Sequence, residues 1–250
     1  SGGVDSTLLL RVAVSVLGER ALAAVGRSPT YPESELREAI ALARDMRARY
    51  VIVDTEETSN PLFTDNPPDR CYHCKLELFS KLKRLAGSRG LRWVADGSNC
   101  DDLLDTRPGS RAAREMGVVS PLQEAGLTKH EVRELARHLG LRNWSKPSQA
   151  CLASRFPYGT KITINELTRV ARAEHVLRAS GFSQVRVRAH GLVARIEVMP
   201  GELDKLLSGE LRESVVEELK SAGFLYVSID LEGYRTGSMN EALPRREKAT

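Results

Sequence analysis

The chain has 250 residues, 41% hydrophobic and 28% charged, a globular mixture with room for one large domain or two ordinary ones. Its 37 Lys and Arg against 33 Asp and Glu leave a net +4 spread along the chain, which admits anionic ligands without demanding nucleic acid. No stretch reaches the roughly 18 apolar residues of a membrane span, no period marks a collagen, coiled coil or repeat array, and four cysteines are too few for a disulfide framework.

The chain opens on Ser1-Gly2-Gly3-Val4-Asp5-Ser6, and an apolar helical run follows to about residue 19, with Arg11 inside it. A glycine turn of this kind normally follows a strand. None precedes it here, so the expectation is a fold lacking its first strand. An apolar run at Ala21–Gly26 leads to helical spacing over 33–48 (Leu36, Ile40, Leu42, Ala43, Met46) and to a strand at Tyr50–Thr55. After a loop with Pro61, Pro67 and Pro68, a helix is expected at about 71–87. A strand at Leu91–Asp96 then runs into Asp96-Gly97-Ser98. Thr128 with Glu131 is a capping box that starts a helix through Leu139, and Gly140 ends it. Such strand–helix alternation predicts an α/β domain with a parallel sheet.

Residues 143–160 read as a loop. A second capping box, Thr163 with Glu166, opens a helix to about Ser180, stopped at Gly181. Gln184–His190 alternates as a half-buried strand, Leu192–Val198 is a second, helices follow at about 201–207 and 210–222, and Phe224–Leu231 is a third strand. That order, α-β-β-α-β, is a small α+β domain. The domains are therefore placed at 1–157 and 158–250.

The opening hexamer carries the sharpest chemistry. Glycines let backbone approach phosphate oxygens closely, the following helix points free N–H groups and its positive dipole end at the same anion, and Ser1 and Ser6 add hydroxyls. The Gly-Lys-Ser/Thr ending of a Walker loop is missing. Cys151 stands in a proline-bounded loop, Lys146-Pro-Ser-Gln-Ala-Cys-Leu-Ala-Ser154-Arg155-Phe-Pro-Tyr-Gly159. There Lys146 and Arg155 would favour the thiolate, unless the thiol is simply packed. Cys71 and Cys74 in Arg-Cys-Tyr-His-Cys-Lys can share a metal or a cluster iron, or cycle as a dithiol. Cys100, beside Asp101 and Asp102, reads as incidental. Arg186 and Arg188 alternate onto one strand face about 7 Å apart, either a fork for a phosphate or a solvated face. Glu174 and Glu197 would bind a divalent cation or pair with those arginines at the surface.

The Ser-Gly-Gly-x-Asp-Ser loop resembles that of the PP-loop ATP pyrophosphatases, which split ATP between the α and β phosphates to adenylate a substrate oxygen. Across nearly the whole chain the segments RCYHCK, DGSNCDDLLDTRPG, SPLQEAGLTKHEVRELARHLGL, KPSQACLASRFPYG, VRVRAH, ARIEV and GYRTGSMN resemble the LarE family of ATP-dependent sacrificial sulfur transferases. The resemblance implies a PP-loop enzyme that uses ATP and Mg²⁺ to adenylate pyridinium-3,5-biscarboxylic acid mononucleotide and exchange the activated oxygen for sulfur, in nickel-pincer cofactor synthesis. It implies pyrophosphate contacts from Ser1, Gly2, Gly3, Asp5, Ser6 and Gly97. Cys151 would be the sulfur donor, and Ser154, Arg155, Arg186 and Arg188 would lie on the substrate phosphate or AMP. Glu174 and Glu197 would take the family's metal positions. Members with the Cys-x-x-Cys pair carry a [4Fe–4S] cluster, for which Cys71, Cys74 and Cys151 are the matching ligands. The family also implies a homo-oligomer, with a sulfide source that the residues do not name. With no secretory leader read, the protein is expected in the cytoplasm, away from membranes. A PP-loop enzyme that thiolates tRNA is the alternative, but only 5% of residues are aromatic and no stacking platform for RNA is visible. A non-catalytic nucleotide-binding module would leave Cys151, Arg186 and Arg188 without a task.

Overall fold

The computed structural model describes residues 1–103, 108–235 and 237–242. The Asp-Thr-Arg part of the 105–109 motif and Thr236 of GYRTGSMN lie outside the described residues. The chain divides into two units.

The first unit holds Ser1–Phe63 and Pro68–Gln149. Its elements in order are α1 (Val4–Leu17), β1 (Leu22–Arg27), α2 (Glu33–Asp45), β2 (Arg49–Asp54), the single turn α3 (Pro61–Thr64, its last residue counted with the second unit), α4 (Arg70–Ser88), α5 (Pro108–Glu115), the single turn α6 (Pro121–Glu124) and α7 (Lys129–His138). β1 and β2 run parallel, in register from Leu22 opposite Arg49 to Arg27 opposite Asp54. The unit is thus α/β with parallel pairing. The apolar stripe of each helix decides the packing. Val4 and Leu8 of α1, Leu42 and Ala43 of α2, Leu122 of α6 and Val132 and Ala136 of α7 close one core. Tyr72, Leu76 and Phe79 of α4 pack with Ala112, Ala113 and Met116 in another.

The strand expected at Leu91–Asp96 is not formed. Among the described residues only Ala95 bridges, in parallel, to Val119, because its partner segment turns at once into α6 at Pro121. The capping box at Thr128 is realised: its backbone N–H and hydroxyl donate to the Glu131 carboxylate at 2.8 and 2.7 Å, and the Glu131 N–H returns to the hydroxyl at 3.3 Å. Those donors, the backbone N–H foremost, hold the Glu131 carboxyl below its ordinary range.

The second unit gathers Thr64–Pro67 with the chain from Ala150 onward. It contains α8 (Ile164–Ala179), β3 (Val185–His190), β4 (Val193–Val198), α9 (Leu203–Leu207), α10 (Gly209–Ser221) and β5 (Tyr226–Ile229). The sheet order is β3-β4-β5, antiparallel then parallel. Leu167, Val170, Ala173 and Leu177 of α8 are buried. β3 is not half-buried as its alternation predicts: every residue from Val185 to Ala189 is buried.

Candidate active site

In the first unit the opening hexamer forms a turn into α1. Gly2 is buried at φ +68, a conformation that favours glycine, and a Cβ there would stand 3.2 Å from that of Ala39. The Gly3 carbonyl accepts from the hydroxyls of Thr7 at 2.8 Å and Ser6 at 3.1 Å, and the Ser1 and Ser6 hydroxyls are 2.9 Å apart. Buried Asn143 fixes the turn from behind, donating to the Gly2 carbonyl at 3.0 Å and to the Thr7 hydroxyl at 2.9 Å. Gly97 lies against the same helix start. A Cβ on it would be 2.9 Å from the Ser6 nitrogen, so only glycine fits. Asp96 anchors that second turn by accepting from Ser98 and Ser120.

Asp5 does not stand alone. Its carboxylate accepts from Asn99 Nδ2 at 2.9 Å and is ion-paired with the Lys129 ammonium, which projects from the first residue of α7. Lys129 and Asn99 are functional candidates that sequence reading missed. The capping box was visible, but not that it sets a cation beside the glycine turn. Lys146, expected to act on Cys151, is bound by Glu35 at 2.7 Å and Glu38 at 2.6 Å. Burial opposes its charge, but the two carboxylates outweigh burial and hold its pKa above the ordinary lysine value. Cys71, exposed, and Cys74, half-buried, occupy the first turn of α4, off the face that carries Tyr72, Leu76 and Phe79. Cys100 donates to the Gln123 carbonyl across 3.7 Å.

In the second unit half-buried Cys151 caps the helical turn Leu152–Arg155. Arg155, 1% exposed, donates Nε and Nη2 to the two oxygens of Glu174 at 2.6 and 3.1 Å. Its Nη1 donates to the carbonyls of Ala150 and Cys151 at 3.1 and 3.2 Å and to the Ser154 hydroxyl at 2.7 Å. Arg188 grips Glu197 with two bonds of 2.8 Å and reaches the Ser154 carbonyl and the Ser238 hydroxyl. Arg186 donates to the Val185 carbonyl and lies over the Tyr234 ring. Burial, then the nearby Arg155 charge, lowers its pKa to about 10. Glu174 is also buried, yet Arg155, Arg178 and Arg186 hold its carboxyl below the ordinary range.

The surface ion pairs expected of Glu174 and Glu197 are therefore a buried network. Three buried guanidiniums (Arg155, Arg186, Arg188) face two buried carboxylates, an excess of positive charge suited to an anion. All four carboxylate oxygens already accept from arginine, and among the described residues no trio of His, Cys, Asp or Glu is arranged to hold a metal ion. Any metal held there, as the resemblance implies for Glu174 and Glu197, would have to share those oxygens with the guanidiniums.

A glycine cradle at a helix start, beside parallel strands and joined by an Asp–Lys pair, defines an α/β phosphate-binding protein of the PP-loop class. No family model matches the chain. It is 39% identical to the pyridinium-3,5-bisthiocarboxylic acid mononucleotide synthase of Lactiplantibacillus plantarum, over 100% of this chain and 90% of that protein. An uncharacterised protein of Synechocystis sp. is 46% identical over 98% of this chain and 91% of its own. An NH3-dependent NAD(+) synthetase of Hyperthermus butylicus is 32% identical over 56% of the chain. The chain belongs to the family of that Lactiplantibacillus synthase, the LarE family. A solved NH3-dependent NAD synthetase from Campylobacter jejuni covers 88% of this chain and 81% of its own at 16% identity and a TM-score of 0.45, a likeness too loose to bear on function.

Proposed function

We propose that this protein is an ATP-dependent sulfur transferase that converts a carboxylate of pyridinium-3,5-biscarboxylic acid mononucleotide to a thiocarboxylate. The observation that carries the reading is the end-to-end match to the synthase, which spans both units and both candidate sites. Residues 1–157 would serve as the ATP pyrophosphatase domain, and residues 158–250 would supply substrate-phosphate contacts and the surfaces of a cytoplasmic homo-oligomer. Among the described residues no helix is long and apolar enough to cross a membrane.

The chemistry follows from charge placement. The N–H groups of the Gly2–Gly3 turn and the hydroxyls of Ser1 and Ser6 would receive the departing pyrophosphate of Mg·ATP, with the backbone at Gly97 closing on the same turn. Lys129, oriented by Asp5, adds a cation there. A substrate carboxylate oxygen attacks the α-phosphorus and pyrophosphate leaves. A sulfur nucleophile then attacks the acyl carbon of the adenylate and AMP leaves with the original oxygen. Arg186 and Arg188, with Ser154 and Arg155 beside them, would hold the substrate phosphate. Cys71, Cys74 and Cys151 are soft thiol donors of the right kind for a [4Fe–4S] cluster, and the first two lie one helical turn apart. When bound, that cluster supplies a labile sulfide and so makes the sulfur renewable; without it, Cys151 gives up its own. Anaerobic incubation with Mg·ATP and the mononucleotide should release pyrophosphate and AMP in step with thiocarboxylate, read by mass spectrometry. Tight ATP binding with no pyrophosphate would reject the enzyme reading.

A further inference from the structure

The loops that leave the carboxyl ends of β1 and β2 meet at one buried carboxylate. Ser28-Pro29-Thr30 follows β1, and Glu57 opens the short helical turn after β2, all within the first unit. Glu57 is 2% exposed and Thr30 is 1% exposed. The Ser28 hydroxyl donates to Glu57 Oε1, and the Thr30 hydroxyl reaches the same oxygen at 3.1 Å. The two hydroxyls are themselves 2.6 Å apart, and the Thr30 N–H donates to Ser28 Oγ at 2.9 Å. The Thr55 N–H, donating to the Arg27 carbonyl at 3.0 Å, holds the two strand ends together beside them.

This cluster is short of positive charge. Three oxygens approach one another pairwise, and the two hydroxyls bring only two protons to those three contacts. Glu57 Oε2 is buried and receives no hydrogen bond among the described residues, and among them no lysine, arginine or histidine is paired with Glu57. A carboxylate taken out of water needs a cation or a full set of donors, because an unpaired buried charge is strongly destabilising.

We propose that Ser28, Thr30 and Glu57 form a buried site for one monovalent alkali cation, Na⁺ or K⁺. The donors are hard oxygens, which suit alkali and alkaline-earth ions and not the softer transition metals. Charge then selects the valence. One carboxylate cancels one positive charge, whereas a divalent ion would leave a net charge buried. The ion would join the two loops at the strand ends, the edge where open α/β sheets bind their ligands. The first of those loops leads into α2, whose Ala39 packs behind Gly2 of the glycine turn.

Urea unfolding of the full chain, read by circular dichroism, tests this in NaCl, KCl or choline chloride, each at about 100 mM so that screening is equal. With a site half-filled at about 10 mM, the folding equilibrium should favour the native state about tenfold more in the alkali salt than in choline chloride. The salt with the lower half-saturating concentration identifies the ion. Glu57→Gln should abolish the difference. In choline chloride it should be at least as stable as wild type, because a neutral amide relieves the buried charge. Should that variant not fold, Thr30→Val keeps the shape, removes one oxygen and should raise the half-saturating concentration severalfold. Equal midpoints in all three salts would leave Oε2 to a water molecule and overturn the proposal. A salt difference that survives in Glu57→Gln, or stabilisation by Mg²⁺ and not by the alkali ions, would overturn it too.

Discussion

Arg155 is the residue for which resemblance and structure make different predictions. As a substrate ligand it would be dispensable to the free protein; as the brace seen here it is not. Removing one partner of a buried ion pair costs about 3–5 kcal/mol. Arg155→Lys keeps the charge but cannot reproduce the two-pronged grip on Glu174 together with the bonds to the Ala150 and Cys151 carbonyls, so a loss of about 3 kcal/mol is expected. Glu174→Gln should cost a similar amount. Because each variant already breaks the shared interaction, the double variant should fall short of the sum by about 2 kcal/mol. The carbonyl bonds add a second, local consequence. Losing charge-assisted bonds of about 1.5–3 kcal/mol should open the Cys151 loop ten- to a hundredfold more often. Iodoacetamide alkylation followed by peptide mass spectrometry would read this as faster labelling of Cys151, with exposed Cys71 as the unchanged internal reference. Urea unfolding monitored by circular dichroism gives the stabilities. Strict additivity, or a destabilised Arg155→Lys whose Cys151 labels at the wild-type rate, would refute the brace.

Gly97→Ala places a methyl 2.9 Å from the Ser6 nitrogen, so about 1–3 kcal/mol of strain and weaker ATP binding are expected by calorimetry; unchanged affinity would remove Gly97 from the site. Lys129→Met should lower pyrophosphate release about 10²–10³-fold, the scale of losing one preorganised charge-stabilising group, and stopped-time assays at the wild-type rate would reject a catalytic part for the Asp5–Lys129 pair. Lys146 gives the pH prediction. Its folded pKa is raised above the unfolded value near 10.5, so its contribution is fully present below that value and is lost as pH rises through the higher folded one. Denaturant midpoints of wild type and Lys146→Met should therefore differ at neutral pH and converge at strongly alkaline pH, and a constant gap would show that Glu35 and Glu38 do not stabilise the ammonium.

What the sequence determined by itself was local. The Ser6 and Thr7 bonds to the Gly3 carbonyl, the reciprocal cap at Thr128 and Glu131, and the start of α8 at Thr163 and its stop at Gly181 all depend on residues within a few positions of one another. Their hydrogen bonds form whatever the rest of the chain does. Alternation likewise put Arg186 and Arg188 on one face, but a period of two cannot say whether that face meets water. The turn at Leu152–Arg155 and the buried carboxylates decided it, bringing Arg188 to the Ser154 carbonyl and to Glu197. Leu91–Asp96 had a strand's composition and found a partner only at Ala95, since a strand exists by pairing and not by propensity alone. Lys129 beside Asp5, Lys146 between Glu35 and Glu38, and Asn66 under Pro157 join residues about 90 to 124 positions apart. No window of sequence contains both ends of such a contact. Only the closing of the chain brings them together, and it is there that the candidate site acquired its cations and its brace.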